Sequence, residues 1–311
     1  MTLVVFVLAP RVHLLDVAGA AQVFATAADL GASYELHFVG AEPTITSHQG
    51  LPLAVRATWP DLSAADLVLV PGWKLPDTTA WEQPVTRPDL ERLVSHHRAG
   101  GTVGSICAGA FALGAAGLLD GRQSTTHHEV QDLLQQRHPA THVLRDRLFV
   151  EDDRVVTSAG IASGVDLALD LVATREGPAL AARVARTMVV YGRRNGRAAQ
   201  LSTMLRYRDH LREIVHRAQD IIDAEFDRAL PLLRLADACG VSERTLTRAF
   251  VDATGLTPLR YQQQLRRERA EELVTHGATL ESAARQVGFD DARMLRRLRA
   301  ASRPGRADLA P

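Results

Sequence analysis

Apolar and polar positions along the first half of the chain follow two alternating patterns. Runs of consecutive apolar residues predict strands at 3–8, 34–40, 65–73 and 101–107, a short strand over 122–127 and a hairpin over 147–160. Stretches of helical periodicity predict helices between them, at 14–30, 88–100, 108–118, 129–138 and 162–173. Because strand–helix alternation places parallel strands between layers of helices, this half is predicted to be a mainly parallel α/β sandwich.

The pattern changes near residue 178, beyond which no strand is predicted. A helix over 179–194 and a linker precede a stretch that is helical throughout. We therefore predict two domains joined by a linker, with an α/β domain over 1–195, the linker over 196–211 and an all-α domain over 212–311.

The all-α part contains the pattern of a helix-turn-helix over 235–250. Ala236 is small where two helices would cross closely, and Gly240 can adopt the positive φ of a tight inter-helix turn. Ser242 is a natural N-cap for the next helix. That helix would turn two apolar residues towards the core, Leu246 and Phe250.

The opposite face of the same helix carries the candidate DNA contacts. Arg244, Thr245 and Arg248 would project outward near its N-terminus, the part that enters the major groove in such motifs. Gly255 can end this helix, and a long helix is predicted over 257–277.

The pattern returns 48 residues later, over 281–298. Ala284 and Gly288 repeat the small crossing residue and the turn glycine, and Asp290 takes the cap position. Met294 and Leu298 match the two core residues, and three arginines would be exposed for DNA contact: Arg293, Arg296 and Arg297. Two copies bridged by one helix are far more specific than a single motif.

Charge is distributed unevenly over a chain of zero net charge. Residues 1–180 hold 12 basic against 20 acidic residues, a net charge of −8, and residues 181–311 hold 24 against 16, a net charge of +8. Nucleic acid is the natural partner of a basic half, although charged faces are usually only solvated. Lys74 is the single lysine.

Two cysteines, Cys107 and Cys239, lie far apart without metal-type spacing, so neither a disulfide framework, a metal site nor a cofactor is indicated. The apolar start lacks a basic region and is interpreted as a strand, not a signal peptide. No stretch reaches the roughly 18 apolar residues that a membrane span needs. We expect a cytoplasmic protein that does not contact membranes.

Cys107 lies in a run of small residues over 104–117, at the predicted strand-to-helix turn. A nucleophile at such a turn needs small neighbours two positions away on each side, and Ser105 and Gly109 meet that need. The following helix N-terminus could lower the pKa of the thiol. Equally, cysteine is a good small buried residue at a crowded turn, and the motif alone leaves both interpretations open.

The C-terminal residues 212–300 resemble the AraC family of transcriptional regulators, whose DNA-binding unit is two helix-turn-helix motifs on a shared helix. The first motif is nearly intact, and the second keeps its Val-Gly-Phe sequence at 287–289. The second departs from the family where Leu295 and Arg299 replace the usual aromatic residues, and in the sequence after residue 300.

Residues 1–195 resemble the PfpI-type proteins of the class I glutamine-amidotransferase-like superfamily, which have a flavodoxin-like sandwich. The resemblance rests on four stretches, 14–24, 67–73, 105–128 and 155–172. With the C-terminal match, the whole chain resembles the GlxA-like regulators. The resemblance implies a ligand pocket lined by a carboxylate, a backbone donor, the elbow and a histidine: Asp16, Gly72, Cys107, Ala108 and His127.

Ala108 argues against catalysis by this pocket. In the family, hydrolytic members carry His after the elbow cysteine and isonitrile hydratases carry Thr, and alanine can replace neither. His128 and the pair His96-His97 are interpreted as surface residues. The pocket would still suit a small polar metabolite, and an amino group would suit Asp16.

We therefore predict a sequence-specific transcription regulator whose first domain binds a small effector without catalysis. Its expected partners are double-stranded DNA, a second copy of the chain, an effector that bears an amino group, and RNA polymerase. The alternative is a cysteine-dependent hydrolase or hydratase with an appended DNA-binding domain.

Overall fold

The computed structural model describes residues 1–75, 83–190, 194, 196, 200, 206–275 and 277–301. Its contacts divide the chain into two units, Met1–Gln200 and Leu201–Pro311. Much of the predicted linker, at 197–199 and 201–205, and the divergent chain end at 302–311 lie outside the described residues. No helix within the described ranges is long and apolar enough to cross a membrane.

The N-terminal unit is built on a six-stranded sheet. The strands of the unit are β1 Thr2–Leu8, β2 Tyr34–Gly40, β3 Thr44–Thr46, β4 Pro52–Ala54, β5 Leu67–Val70, β6 Thr102–Ile106, β7 Gln123–Ser124, β8 His142–Val143, β9 Phe149–Asp152 and β10 Val155–Ser158. The main sheet has the order β2-β1-β5-β6-β10-β9, and only β9 runs antiparallel to its neighbour. The prediction of a mainly parallel sheet is confirmed.

Helices cover both faces of this sheet. They are α1 Leu14–Asp29, α2 Arg87–Arg98, α3 Ala110–Ala115, α4 Gln131–Arg137, α5 Ser163–Glu176 and α6 Pro178–Thr187. Alternate residues of β1 enter opposite cores: Val4 and Phe6 pack with α1, α5 and α6, whereas Val5 and Val7 pack with α2, α3 and α4. Burial of apolar residues on both faces explains why the strands appear in the sequence as continuous apolar runs.

The structure differs from the predicted elements in several places. The helix predicted over 179–194 ends at Thr187, and the two-residue strand β8 was not predicted. The short hairpin of β3 and β4 was not predicted, because three-residue strands show no measurable periodicity. The helix predicted over 108–118 is a 3₁₀ turn at Cys107–Gly109 followed by only six residues of α3. The assignment of His96 and His97 to the surface was wrong, since both are buried and their rings bond the carbonyls of Asp66 and Asp153.

The C-terminal unit is helical in all its described residues. Its helices are α7 Glu213–Glu225, α8 Leu232–Ala238, α9 Glu243–Thr254, α10 Pro258–Thr275, α11 Leu280–Gln286 and α12 Ala292–Ala301. One core gathers residues of α7, α8 and α9 around Tyr261 of α10, and a second gathers residues of α11 and α12 around Ala270 of α10. The prediction of a helical domain with one helix shared by two motifs is confirmed.

Candidate functional site

Four loops of the N-terminal unit meet at one edge of the main sheet. Asp16 lies in the first turn of α1, after β1, and Gly72 follows β5. Cys107 follows β6, and Gly160 follows β10. Because β1, β5, β6 and β10 are parallel neighbours, their carboxyl ends bring these residues together in the position where α/β sheets bind ligands.

Cys107 occupies a strained turn that its neighbours enclose. Its φ of 55° lies in the left-handed region, which is uncommon for a residue with a side chain. Gly160 packs so closely that a Cβ there would lie 2.1 Å from the Cys107 Cβ. At Gly109 a Cβ would lie 1.9 Å from the Val70 carbonyl oxygen. Glycine is therefore required at both positions for this backbone arrangement.

Asp16 is fully buried beside this turn. Its Oδ1 accepts a hydrogen bond of 2.5 Å from the Ile161 N–H. Its Oδ2 faces the Gly72 N–H and the Cys107 thiol but has no hydrogen bond of good geometry within the described structure. Burial raises the pKa of Asp16 to about 6, against the opposing effect of the Ile161 and Gly72 N–H groups.

The environment of Cys107 favours the neutral thiol. Burial is the main cause that raises its pKa far above the ordinary value, and the nearby Asp16 carboxylate raises it further. The Ala108 N–H acts in the opposite direction but does not prevail. The expectation that a helix N-terminus could lower this pKa was wrong. The 3₁₀ turn and the short α3 stabilise the thiolate less than burial destabilises it.

The resemblance places His127 close to Cys107, but the contacts of its ring are made elsewhere. The ring centroid is 4.3 Å from that of His128, and Nδ1 is 3.7 Å from a Glu129 carboxylate oxygen. The preceding residue, Thr126, makes the contact with the elbow: its hydroxyl donates a 2.7 Å hydrogen bond to the Cys107 carbonyl. Sequence reasoning missed Thr126, Gly160 and Ile161, since no residue type or spacing marks them.

Basic side chains lie beside the loop that carries Gly72. The His13 ring lies 5.2 Å from the His48 ring, and the His13 N–H donates to the Gly72 carbonyl at 2.9 Å. Burial lowers the pKa of His13, and the neighbouring His48 and Lys74 side chains lower it further. These three residues, His13, His48 and Lys74, are called the basic rim below.

We expect Asp16→Asn to remove a pH dependence from the stability of the N-terminal unit. The pKa of Asp16 is higher in the folded state than in the unfolded state, so the bound proton stabilises the fold. This stabilisation is fully present below about pH 4 and is lost as the pH rises through about 6. Relative to the variant, wild type should lose up to about 3 kcal/mol of unfolding free energy between about pH 4 and pH 7. Urea unfolding followed by tryptophan fluorescence measures this, since all three tryptophans lie in residues 1–200.

Asp29→Asn is the matched control, since Asp29 lies on the same helix and is exposed. This variant should keep the wild-type pH dependence. Parallel pH curves for Asp16→Asn and wild type would contradict the assigned pKa.

The C-terminal unit presents a second candidate site at the first helix-turn-helix. Gly240 has a φ of 71° in the turn between α8 and α9, and the Ser242 hydroxyl accepts from the Thr245 N–H at 3.2 Å. Leu246 and Phe250 are fully buried. The opposite face of α9 exposes the three predicted DNA contacts, Arg244, Thr245 and Arg248.

The second motif differs from its prediction at the cap. The Asp291 carboxylate, rather than that of Asp290, accepts from a backbone N–H in the first turn of α12, that of Arg293, at 2.7 Å. The helix thus begins one residue later than the repeat implied. Leu295, a position where the family usually has an aromatic residue, is fully buried, and Met294 and Leu298 are half-buried beside it.

The three candidate DNA-contact arginines of α12 differ in how far their side chains are already held by other residues. The Arg293 side chain is 90% exposed and lies 4.0 Å from Asp291. Arg296 forms a 2.6 Å ion pair with Glu281 of α11, and Arg297 contacts the Met294 sulfur at 3.1 Å. Arg293 is therefore the arginine of α12 that is most available to a phosphate or base.

Arg266 of the shared helix holds the two motifs together. Its guanidinium donates to the carbonyls of Phe226 at 2.6 Å and Arg228 at 2.7 Å, in the loop that precedes α8. It also donates to the Gly288 carbonyl at 2.6 Å, in the turn of the second motif. A Cβ at Gly288 would lie 1.9 Å from the Asp227 carbonyl oxygen, so the two loops meet backbone to backbone.

Comparison with known proteins matches both parts of the chain. Residues 2–174 match the profile of the DJ-1/PfpI family, and residues 235–301 match that of a helix-turn-helix domain. Over 234 residues the chain is 30% identical to the HTH-type transcriptional regulator GbdR of Pseudomonas aeruginosa. This alignment covers 74% of this chain and 61% of GbdR. The matched part is thus less than two thirds of that relative.

Two further comparisons cover little more than half of the chain. The isonitrile hydratase of Pseudomonas putida is 34% identical over 169 residues, or 53% of this chain and 68% of the hydratase. The crystal structure of an AraC family transcriptional regulator from Pseudomonas putida superposes with a TM-score of 0.51 at 28% identity, covering 60% of this chain and 100% of that chain.

Proposed function

Since the chain belongs to the DJ-1/PfpI family over its first half and carries an AraC-type helix-turn-helix domain in its second, we propose that it is a sequence-specific DNA-binding transcription regulator. The observation that carries the proposal is the face of α9. There a capped helix with a buried apolar side exposes Thr245 and two arginines, Arg244 and Arg248, which form no ion pair among the described residues. Arginine at such positions reads guanine or binds phosphate.

The N-terminal unit would serve as the sensor of a small effector. An amino group on the effector would reach the unpartnered Oδ2 of Asp16 by displacing the Cys107 thiol. The basic rim of His13, His48 and Lys74 suits an additional anionic group. Gly72, Ala108 and His127 complete the proposed pocket.

A thermal-shift series tests this assignment with propylamine, propionate and β-alanine, which differ in charge but little in size. The amine-bearing compounds should raise the melting temperature of wild type and lose that effect in Asp16→Asn. Equal shifts in wild type and the variant would remove Asp16 from the site. A shift with propionate alone would assign the ligand to the rim.

Partners on DNA follow from the same proposal. A second copy of the chain would match the two-fold symmetry common in operators, and RNA polymerase would be the partner through which transcription changes. Such a regulator acts in the cytoplasm, on DNA.

Retention of sheared genomic DNA by the full chain at moderate salt, followed by sequencing, tests the regulator itself. The proposal expects a few sharp sites that share a half-site sequence. Diffuse retention without a shared sequence, lost steeply with salt, would reflect counterion release alone and reject it.

A cysteine-dependent hydratase or hydrolase is the second candidate, favoured by the strained φ of Cys107 and by the isonitrile hydratase match. Against it stand Ala108 at the position of the proton-transfer partner and the raised pKa of the thiol. The proposed sensor therefore does not use Cys107 as a nucleophile.

Thiol alkylation by iodoacetamide discriminates the two candidates. We expect Cys107 to react slowly at pH 7 and progressively faster up to and beyond pH 9, because only the thiolate reacts. Asp16→Asn should accelerate the reaction, since the carboxylate charge raises the pKa of Cys107. Mass spectrometry of the peptide that contains Cys107 measures the rate. Rapid alkylation of wild type near neutral pH would favour the enzyme over the sensor.

A further inference from the structure

Residues 206–212, which we call the strap, precede α7 and pack against that helix within the C-terminal unit. The carbonyl of Tyr207 accepts from the amide of the fully buried Gln219 at 2.8 Å. The carbonyl of His210 accepts from the His216 Nε2 at 2.6 Å, and the two imidazole rings stack with centroids 4.2 Å apart. Two side chains of α7 therefore hold the backbone of the strap against the helix.

Arg208 adds an ionic contact to these hydrogen bonds. Its guanidinium lies 2.7 Å from the Asp220 Oδ1 and 2.7 Å from the Asp223 Oδ2, both on α7. The Asp220 side chain is 68% exposed, whereas that of Asp223 is only 8% exposed. Without Arg208, the buried Asp223 carboxylate would keep the Tyr261 hydroxyl, at 2.9 Å, as its hydrogen-bond donor among the described residues. Loss of one partner of a buried ion pair leaves an uncompensated charge, so the docked strap depends on Arg208.

Tyr261 of the shared helix connects the strap to α9. It is fully buried, and its hydroxyl donates to the carboxylate that Arg208 binds, that of Asp223. Its ring packs edge-on against Tyr207 of the strap, with centroids 6.0 Å apart, and against Phe250 of α9, with centroids 5.5 Å apart. The strap thus acts on both the hydroxyl and the ring of a residue that supports the core side of α9.

The core side of α9 lies opposite the candidate base contacts. Phe250 is buried, whereas Arg244 and Arg248 are exposed. A base-reading side chain must be held within about 0.5 Å of its productive geometry, whereas a phosphate contact carries no sequence information. A small displacement of α9 would therefore abolish base reading before it abolishes binding to the DNA backbone.

We propose that the strap is a positioning segment for α9: docked through Tyr207 and Arg208, it holds α9 in the orientation that reads bases, and when undocked it leaves α9 only contacts with the DNA backbone. This inference rests on the proposed function, because it concerns base reading by α9. Docking and release of such a segment make sequence-specific binding adjustable without any change in the residues that touch DNA.

Direct contact of Arg208 with a phosphate is the competing explanation of its role. The Arg208 side chain is 29% exposed, and its charge is balanced by two carboxylates of α7, those of Asp220 and Asp223. Arg244 and Arg248 have no such ion pair among the described residues. The contacts of Arg208 therefore favour a positioning role.

Hydrogen exchange in the full chain, followed by mass spectrometry of peptides from α9 and α12, tests the positioning role without DNA. Arg208→Gln removes the ion pair, and Tyr207→Leu removes the ring contact with Tyr261. Asp220→Asn and Tyr207→Phe are the matched controls, because they keep the Asp223 pair and the ring contact respectively. The α12 peptide is the internal reference, since α12 packs in the second core of the unit.

We expect Arg208→Gln and Tyr207→Leu each to accelerate exchange of the α9 amides at least tenfold and exchange of the α12 amides less than twofold. Amides exchange through local opening, and both variants remove contacts that oppose the opening of α9. Asp220→Asn and Tyr207→Phe should change exchange in both helices less than twofold.

Affinity for DNA supplies a second measurement. Arg208→Gln should lower affinity for a genomically selected duplex at least tenfold and affinity for random DNA less than twofold, with an unchanged salt dependence. Loss of a phosphate contact would instead weaken binding to both duplexes alike and reduce the salt slope by about 1. Tyr207→Leu changes no charge and should reproduce the selective loss.

Equal acceleration of exchange in α9 and α12 would overturn the proposal, because it would reflect destabilisation of the whole unit. Wild-type exchange of α9 in both variants would overturn it as well, and an equal loss on both duplexes with a lower salt slope would reassign Arg208 to a phosphate contact. Circular dichroism identifies a variant that fails to fold; if Arg208→Gln does so, Tyr207→Leu decides, since Tyr207 is only half-buried. A wild type without preference between the duplexes would reject the regulator assignment, while the exchange measurement would still decide whether the strap positions α9.

Discussion

Alanine at both Arg244 and Arg248 is expected to lower affinity for a selected genomic site by about 100-fold, and affinity for random DNA by less than tenfold. Each arginine that reads a base contributes about 1–3 kcal/mol of discrimination, whereas a phosphate contact weakens binding to all sequences alike. Both side chains are exposed on α9 and lie outside the apolar core of Leu246 and Phe250. Fluorescence anisotropy with the two duplexes measures the ratio.

Arg217→Ala is the matched control, because Arg217 is an exposed arginine of the same unit that pairs with Glu213 on α7, outside both motifs. It should leave the ratio of the two affinities within twofold of wild type. An equal loss on the selected and random duplexes in the double variant would reassign Arg244 and Arg248 to phosphate contacts.

Replacement of Arg266 by leucine is expected to reduce both the stability of the C-terminal unit and its affinity for DNA. The variant leaves the Gly288 carbonyl without its donor, and it removes the charged donor from the Phe226 and Arg228 carbonyls, which keep only the Gln262 amide. An unpaired carbonyl costs about 1 kcal/mol or more and the loss of two hydrogen bonds from a charged group adds to this, so the unfolding free energy should fall by about 2–3 kcal/mol. Affinity for the selected site should fall at least tenfold, since the two motifs are no longer held in register.

Urea unfolding followed by circular dichroism at 222 nm, together with anisotropy, measures both effects. Arg260→Leu is the control, because Arg260 is exposed on the same helix. It should change the affinity less than twofold and the unfolding free energy by less than about 0.5 kcal/mol. Arg266→Lys should recover only part of the loss, because an ammonium cannot reproduce the planar fork. Wild-type stability with leucine at 266 would contradict the assigned role.

The pairing of Asp16 with Cys107 illustrates what the sequence makes predictable. Both residues follow apolar runs of strand character, so their approach at one sheet edge follows from strand order and from the family resemblance. The protonation state of Cys107 does not follow, because it depends on burial by the loop at Gly160 and Ile161, more than fifty residues downstream. Desolvation is a property of the packed structure, which local spacing does not encode.

In the helix-turn-helix repeats, too, residue type and spacing predict some features, whereas others depend on tertiary packing. Ser242 was identified as a cap from residue type and position, and its hydroxyl does accept from the Thr245 N–H. In the second copy two adjacent aspartates can both serve, and tertiary packing selects Asp291 rather than Asp290. Arg266 escaped prediction because an arginine on a polar helix face is ordinarily solvated, and its carbonyl partners lie 22 to 40 residues away.

The most direct test of the account is the ratio of affinities of the full chain for a genomically selected duplex and for its scrambled sequence, at physiological salt. A sequence-specific regulator should prefer the selected duplex by at least 10³-fold, the lower end for specific DNA-binding proteins. The preference should largely disappear in the Arg244→Ala, Arg248→Ala double variant. A ratio near one in wild type would contradict the account and return attention to the chemistry of Cys107.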